Sequence, residues 1–330
     1  MALELLVITI FLAFIFDFLN GMNDAANSIS TVVATRVMKP RDAVAMAAFM
    51  NFIAAFVFTT AVASTFGKGL VDIKVINQTT IMAAVIGAII WTYLATRWGL
   101  PISVSHSITG GLVGAAITTA GLSVVVFDGV FKVLVFIVIA PALGLLGAIA
   151  FSIIIIRIFR RVSPGRINEY FKKLQIISSS FYSLGHGSND AQKTMGIIYA
   201  TLIVSGAIAA TDPLPSWVIF ASYLTIGLGT LAGGWKVVKT MGMKLTKLRP
   251  FEGFSAESSS AVVLMFTALA GIPVSTTHTI TGSIMGVGLV KRLTAVRWLV
   301  ANRIVWSWVL TIPLTAILAG VLYILLSALV

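Results

Sequence analysis

The chain has 330 residues, of which 58% are hydrophobic and only 10% charged, with a mean hydropathy of +1.02. A water-soluble domain carries about 25% charged residues, so this composition excludes one and points to a chain that lives in a bilayer. The net charge of +12 does not indicate nucleic acid, because the basic residues lie in short blocks between apolar runs, where the positive-inside rule places them; the absence of cysteine excludes disulfides, thiolate metal sites and cysteine catalysis.

Residues 3–20 read as an apolar helix carrying Asp17. The run lacks the short apolar core and small-residue cleavage site of a signal peptide, so the helix is expected to be retained. The polar stretch Asn20 to Asn27 then interrupts it before Ile29–Val37 resumes. Glycine and asparagine are poor helix formers, and asparagine competes for backbone groups, which predicts a break here.

A basic loop follows (Arg36, Lys39, Arg41), then apolar runs at 42–66 and 79–96 separated by a loop with Lys68, Asp72 and Lys74. Runs of this size reach the ~18–20 residues that span a bilayer. Between the run ending near Arg97 and the one starting at Val104 stand only a short Gly/Pro stretch and no polar loop. The sequence therefore predicts a re-entrant hairpin with its tip at 101–105, with two full crossings joined by a tight turn as the alternative. A long span at 130–156 ends in Arg157, Arg160, Arg161 and Arg166.

The second half repeats the plan: an amphipathic stretch at 167–174, an arm to His186, a second break, an arm to Gly206, a span at 216–234, a hairpin centred on Pro273 and a long span at 298–330. The repetition is literal at two places. Gly21-Met-Asn23-Asp24-Ala25 has its twin in Gly187-Ser-Asn189-Asp190-Ala191. Pro101-Ile-Ser103-Val-Ser105-His106 has its twin in Pro273-Val-Ser275-Thr276-Thr277-His278.

Loop charge reverses between the halves. The basic loop at 36–41 corresponds to 207–215, which has no Lys or Arg, whereas the sparse loop at 67–78 corresponds to the basic loop Lys236–Arg249. Under the positive-inside rule the halves sit in opposite orientations. This puts both termini outside and the basic blocks at 36–41, 157–173, 236–249 and 291–297 inside, with Lys68, Lys74 and Lys132 outside. The expected fold is an all-α polytopic membrane protein of two inverted-topology repeats, 1–160 and 161–330, forming one integrated unit with broken helices and re-entrant helical hairpins.

Inverted repeats with interrupted helices build transporter sites at the membrane midplane. Asp24 and Asp190 offer hard anionic oxygens and Asn23 and Asn189 offer carbonyls, a set suited to Na⁺ or to a proton relay. The plainer role of each Asp is a cap for the helix after its break. Glu257, without an acidic counterpart in the first hairpin, is either a further cation ligand or a partner for a nearby cation.

The hairpin tips carry Ser103, Ser105, Ser107 and Thr109 in one half and Ser275, Thr276, Thr277, Thr279 and Thr281 in the other. Hydroxyls at a helix N-terminus favour an anion, and two converging tips would suit a small tetrahedral oxyanion. Ser and Thr also simply cap or join helices. Lys193 stands where the first half has Asn27. Asn27 is placed with the anion, while Lys193 contacts the anion, balances Asp190 or snorkels to the surface. A Ser-His-Asp hydrolase built on His106, His186 or His278 is disfavoured, because catalysis needs one asymmetric nucleophile–base pair and two of these histidines are matched repeats that brace the tips. A passive anion channel is a further reading.

At these motifs the chain resembles the inorganic phosphate transporter (PiT) family: Gly21-x-Asn23-Asp24-x-Ala26-Asn27 with Thr31, His186-Gly-x-Asn189-Asp190 with Gly196, and the two Pro-x-Ser-x-x-His-x-x-x-Gly elements. The resemblance covers essentially the whole chain. It implies a transporter, not an enzyme, that carries phosphate by symport with Na⁺ ahead of H⁺ as the coupling ion, has no other cofactor, sits in a prokaryotic inner membrane and forms a homodimer. The motifs do not separate phosphate from sulfate. The short basic linker at 157–173, in place of a long hydrophilic loop, suits compact prokaryotic members.

Overall fold

The computed structural model of the chain describes residues 2–329 apart from Thr59, and all their side chains except those of Ala2, Ser64, Thr65 and Lys68. The chain is built from helices, and among the described residues the only β pairing is an isolated bridge between Val71 and Val125. In order these are α1 (Ala2–Ala34), α2 (Pro40–Ile53), α3 (Ala61–Lys68), α4 (Gln78–Trp98), α5 (Val104–Ala120) and α6 (Phe127–Ile158). The second set is α7 (Pro164–Val204), α8 (Ser216–Ala232), α9 (Trp235–Lys239, running into a π turn at Thr240–Lys244), α10 (Pro250–Leu269), α11 (Thr276–Lys291) and α12 (Trp298–Ser327). Among the described residues four helices, α1, α4, α6 and α12, are long and apolar enough to cross a membrane, and α8 with α9 and the π turn forms a fifth candidate bent by 63°.

The elements run in the same order in both sets. The expected breaks, however, are not at the Asn-Asp motifs: α1 is helical through all 33 residues and α7 through all 41, the latter absorbing the stretch at 167–174. The asparagine oxygens accept nothing from their helices' N–H groups, and the side-chain amides donate mainly to other helices. Asn23 Nδ2 donates to Thr96 Oγ1 at 2.7 Å, Asn27 Nδ2 to Thr277 Oγ1 at 2.8 Å, and Asn189 Nδ2 to the carbonyls of Leu264 at 2.9 Å and of Gly185, one turn back, at 3.0 Å.

The interruptions fall one element later. The run at 42–66 is not one span, because α2 passes through a 3₁₀ turn at Ala54–Phe56 before α3 starts afresh. The first turn of any helix has unpaired N–H groups, and here Gln192 Oε1 of α7 accepts from Val62 N at 2.9 Å and Ala63 N at 3.2 Å. In the second half the bend between α8 and α9 is made at Gly233, whose φ of +68° suits glycine.

Packing is exchanged between halves. Helix α5 lies against α12 and α11 against α6, while α1 lies against α8 and α7 against α2. Gly282 of α11 sits on the carbonyl of Pro141 in α6, and Gly110 of α5 on that of Ile312 in α12; a Cβ at either would collide with the backbone. The hairpin helices are thereby fixed to the long helices of the opposite half. Outward faces of α6 and α12 expose Phe131, Leu146, Leu299 and Ile317, as lipid-facing helices do.

Candidate functional site

Continuous helices arrange the motifs by helical period, so residues three, four and seven apart share a face. On α7 this aligns His186, Asp190 and Lys193, and on α1 Asn20, Asp24, Asn27 and Thr31. The two faces meet the N-terminus of α11. Asp24, Asp190, Asn27, Lys193, His186, Thr276 and Thr277 are all buried, none more than 2% exposed.

The centre is a hydroxyl shared by two carboxylates. Thr276 Oγ1 is 3.0 Å from Asp190 Oδ2 and 3.4 Å from Asp24 Oδ2, and Thr277 Oγ1 is 3.2 Å from Asp24 Oδ1. His186 Nε2 lies 3.1 Å from Asp190 Oδ2 and 3.8 Å from Asp24 Oδ2. Its other ring nitrogen, Nδ1, is 3.1 Å from Asn51 Oδ1, and Asn51 Nδ2 donates to Thr230 Oγ1 at 2.9 Å. With the Asn51 amide donating to Thr230, its oxygen accepts from His186 Nδ1–H, which turns Nε2 toward the acids. Asp24, His186 and Asp190 can each direct a ligand atom to one point, all within 4.8 Å of one another. Asn23, Asn27 and Asn189 each keep a buried Oδ1 without a donor, which fits carbonyl ligands for a hard cation.

Lys193 Nζ donates to Asp190 Oδ1, to Ser105 Oγ and, at 2.9 Å, to the carbonyl of Val274. It does not snorkel. Its contact with Ser105 brings the first hairpin to the same cluster.

Other hydroxyls play plainer parts. Ser103 and Ser275 cap α5 and α11, accepting from His106 N at 3.3 Å and His278 N at 3.2 Å. Ser107, Thr109 and Thr279 donate back to carbonyls of their own helices, and Thr281 Oγ1 is buried without a partner. The two tips meet at their histidines, with the rings of His106 and His278 edge to face at 4.8 Å. His278 also stacks on Trp308 at 3.9 Å, and Trp308 Nε1 donates to the Pro101 carbonyl at 3.0 Å. His106 Nδ1 and both ring nitrogens of His278 have no hydrogen-bond partner among the described residues.

Glu257 stands apart from the paired acids. Its carboxylate accepts from Thr31 Oγ1 at 2.5 Å, Gln175 Nε2 at 3.0 Å and Ser178 Oγ; of the two alternatives the sequence left open, a basic side-chain partner is not found among the described residues. Asp17 accepts from Thr194 Oγ1 of α7 at 2.8 Å.

Sequence reasoning passed over His186 and Asn51 as members of the site. For His186 a signal existed, its spacing of four from Asp190, but the expected break concealed it. Asn51 had none, since it reaches the site only through the packing of α2 on α7.

The profile of the phosphate transporter family matches residues 20–319. The chain belongs to that family. It is 47% identical over 323 residues to a probable low-affinity inorganic phosphate transporter of Rhizobium meliloti, covering 98% of this chain and 97% of the relative. A protein of the same description from Bacillus subtilis is 40% identical, with 98% of each chain covered. A solved structure described as the sodium-dependent phosphate transporter superposes with a TM-score of 0.91 at 26% identity, covering 99% of this chain and all of its own. Members of the family are membrane transporters of phosphate rather than enzymes.

Proposed function

We propose that this phosphate transporter is a secondary symporter, driven by Na⁺ ahead of H⁺, that binds its cation at Asn23, Asp24, Asn189 and Asp190 and phosphate at the facing hairpin tips. The observation that carries this is the Thr276–Thr277 pair. Hydroxyls at the start of α11, where N–H groups favour an anion, touch both carboxylates of the motif pair. Asn27, Ser105, Thr276 and Thr277 line the anion side, with Ser103 and Ser275 shaping the tips.

Coupling follows from charge. Two unit charges 4 Å apart at an effective dielectric of 20 interact by about 4 kcal/mol, so a phosphate dianion beside two carboxylates is disfavoured until a cation neutralises them. The same cation is held more tightly once the anion is bound, because the coupling is reciprocal. The neighbour at a TM-score of 0.91 is described as sodium-dependent, which supports Na⁺ as the ion here.

The repeats at 1–160 and 161–330 are taken as inverted, with the α4–α5 and α10–α11 hairpins re-entrant and both termini outside the plasma membrane. Matching element order, exchanged packing and reversed loop charge support this, as does the meeting of the α11 tip with Asp24 and Asp190 in the interior of α1 and α7. Purified protein in liposomes is expected to accumulate labelled phosphate on a Na⁺ gradient, with sulfate a weak competitor, and to lose accumulation in Asp24→Asn and Asp190→Asn. Full accumulation by the double variant would remove the cation role of both acids.

A further inference from the structure

We infer that the Lys193 ammonium is a tethered cation that fills the second-half counterpart of the cation site, leaving the Asp24 side to hold the exchangeable ion. The two sides can be compared residue by residue. In the sequence repeat Lys193 corresponds to Asn27, Asp190 to Asp24, and Ser105 to Thr277. The contacts correspond as well: Lys193 Nζ donates to Ser105 Oγ as Asn27 Nδ2 donates to Thr277 Oγ1. Beyond this shared contact the sides differ: Lys193 meets Asp190, whereas Asp24 is met by Thr277. The hairpin contact is thus shared by the two sides, and what the lysine adds is a charged contact to its own carboxylate, where Asn27 makes none to Asp24.

The ammonium is placed as a bound ion would be. Its oxygen partners come from three separate elements, Asp190 of α7, Ser105 of α5 and the Val274 carbonyl just before α11. A carboxylate, a hydroxyl and a backbone carbonyl make a hard-cation ligand set. A lysine ammonium has three N–H bonds, and these three acceptors use them all. The side chain is 1% exposed, so it neither reaches the surface nor has a donor left for phosphate. Its positive charge is committed to Asp190.

On the first-half side no lysine or arginine pairs with Asp24. The carboxylate meets Thr276, Thr277 and, at 3.8 Å, His186 Nε2, while the carbonyl oxygens of Asn23 and Asn27 are buried without donors. Those oxygens and Asp24 are the ligands available to a mobile cation. The inference rests on the symport reading and refines it: a transporter with asparagine at position 193 would bind one more cation per chain than this one.

The probe is ²²Na⁺, in equilibrium binding to purified full-length protein and in uptake of labelled phosphate by proteoliposomes. Lys193→Asn, and Lys193→Gln as a second variant, are expected to bind one additional Na⁺ per chain. They should also steepen the Na⁺ dependence of phosphate uptake. Asp24→Asn with Lys193 intact is expected to lose saturable ²²Na⁺ binding altogether, and Asp24→Asn/Lys193→Asn to regain one site. An unchanged Na⁺ count in folded Lys193 variants overturns the inference. So does a Na⁺ site that survives in Asp24→Asn and disappears in Asp24→Asn/Asp190→Asn, because Asp190 would then hold Na⁺ beside the lysine. If the unaltered protein neither binds Na⁺ nor needs it for uptake, the Na⁺-coupled reading fails on its own, and a site gained in Lys193→Asn still identifies the lysine as the resident cation.

Discussion

Replacing Thr276 by valine removes the hydroxyl between the two acids and keeps the branched shape of the side chain, which is 1% exposed. The hydroxyl has one proton for two acceptors, and Asp190 Oδ2 at 3.0 Å is closer than Asp24 Oδ2 at 3.4 Å. A hydrogen bond to a charged group contributes about 1.5–3 kcal/mol, and each 1.4 kcal/mol is roughly tenfold in affinity. Thr276→Val is therefore expected to weaken cation and phosphate affinity by roughly ten- to hundredfold, whereas Thr276→Ser, which keeps the donor, stays within about threefold. Initial rates of phosphate uptake measured against both Na⁺ and phosphate, with thermal unfolding as the folding control, read this directly. If folded Thr276→Val matches the unaltered protein in both titrations, the shared hydroxyl is packing, and the argument for a joint cation and anion site loses its centre.

Substitutions at two further positions separate scaffold from site. Glu257→Ala would strand two buried donors, on Thr31 and Gln175, at about 1–3 kcal/mol each, so a large fall in unfolding temperature is expected. Glu257→Gln keeps an acceptor, and Ser178 can donate instead to the Gln175 carbonyl at 3.1 Å, so near-normal stability and Na⁺ dependence are expected; a folded Glu257→Gln that has lost Na⁺ dependence would instead make Glu257 a coupling ligand. In Gly187→Ala the new Cβ would stand 2.7 Å from both Cα and the carbonyl oxygen of Asn51. Relieving such overlap costs about 1–3 kcal/mol and shifts Asn51 from His186, so uptake should fall while the protein still reaches the membrane. Normal uptake would show that Asn51 does not set the histidine.

Much of this was legible in the chain because duplication makes weak signals reinforce each other. Asn23-Asp24 alone is a polar interruption in an apolar run; its recurrence at Asn189-Asp190, each followed by a Pro-Ser-His element, indicates a two-fold site. The continuity of α1 and α7 was not legible. Helix propensity counts the cost of asparagine against its own backbone, but Thr96, Thr277 and Leu264 supply the partners that remove that competition, and they lie 73, 250 and 75 residues away. The break after α2 was hidden for the same reason, since the cap on α3 is Gln192, about 130 residues on. The neutral donors around Glu257 were not legible either, because they come from α1 and α7 and share no motif with it.

The crossed connections explain how occupancy can drive movement. Asp24 of the first half is served by Thr276 and Thr277, on the second half's hairpin, and Lys193 of the second half is held by Ser105, on the first half's hairpin. Each hairpin helix is in turn packed on the long helix of the opposite half, Gly282 on Pro141 and Gly110 on Ile312. Thr276 also meets Asp190 of the second half, so displacing α1 relative to α7 must alter at least one of its two carboxylate contacts. A cation at Asp24 stabilises only the arrangement in which Thr276 and Thr277 reach it, and a ligand shifts a conformational equilibrium only by its differential affinity for the two states. On the Asp190 side the tether imposes the same condition whatever the ion concentration, which makes the first-half side the one that senses the gradient.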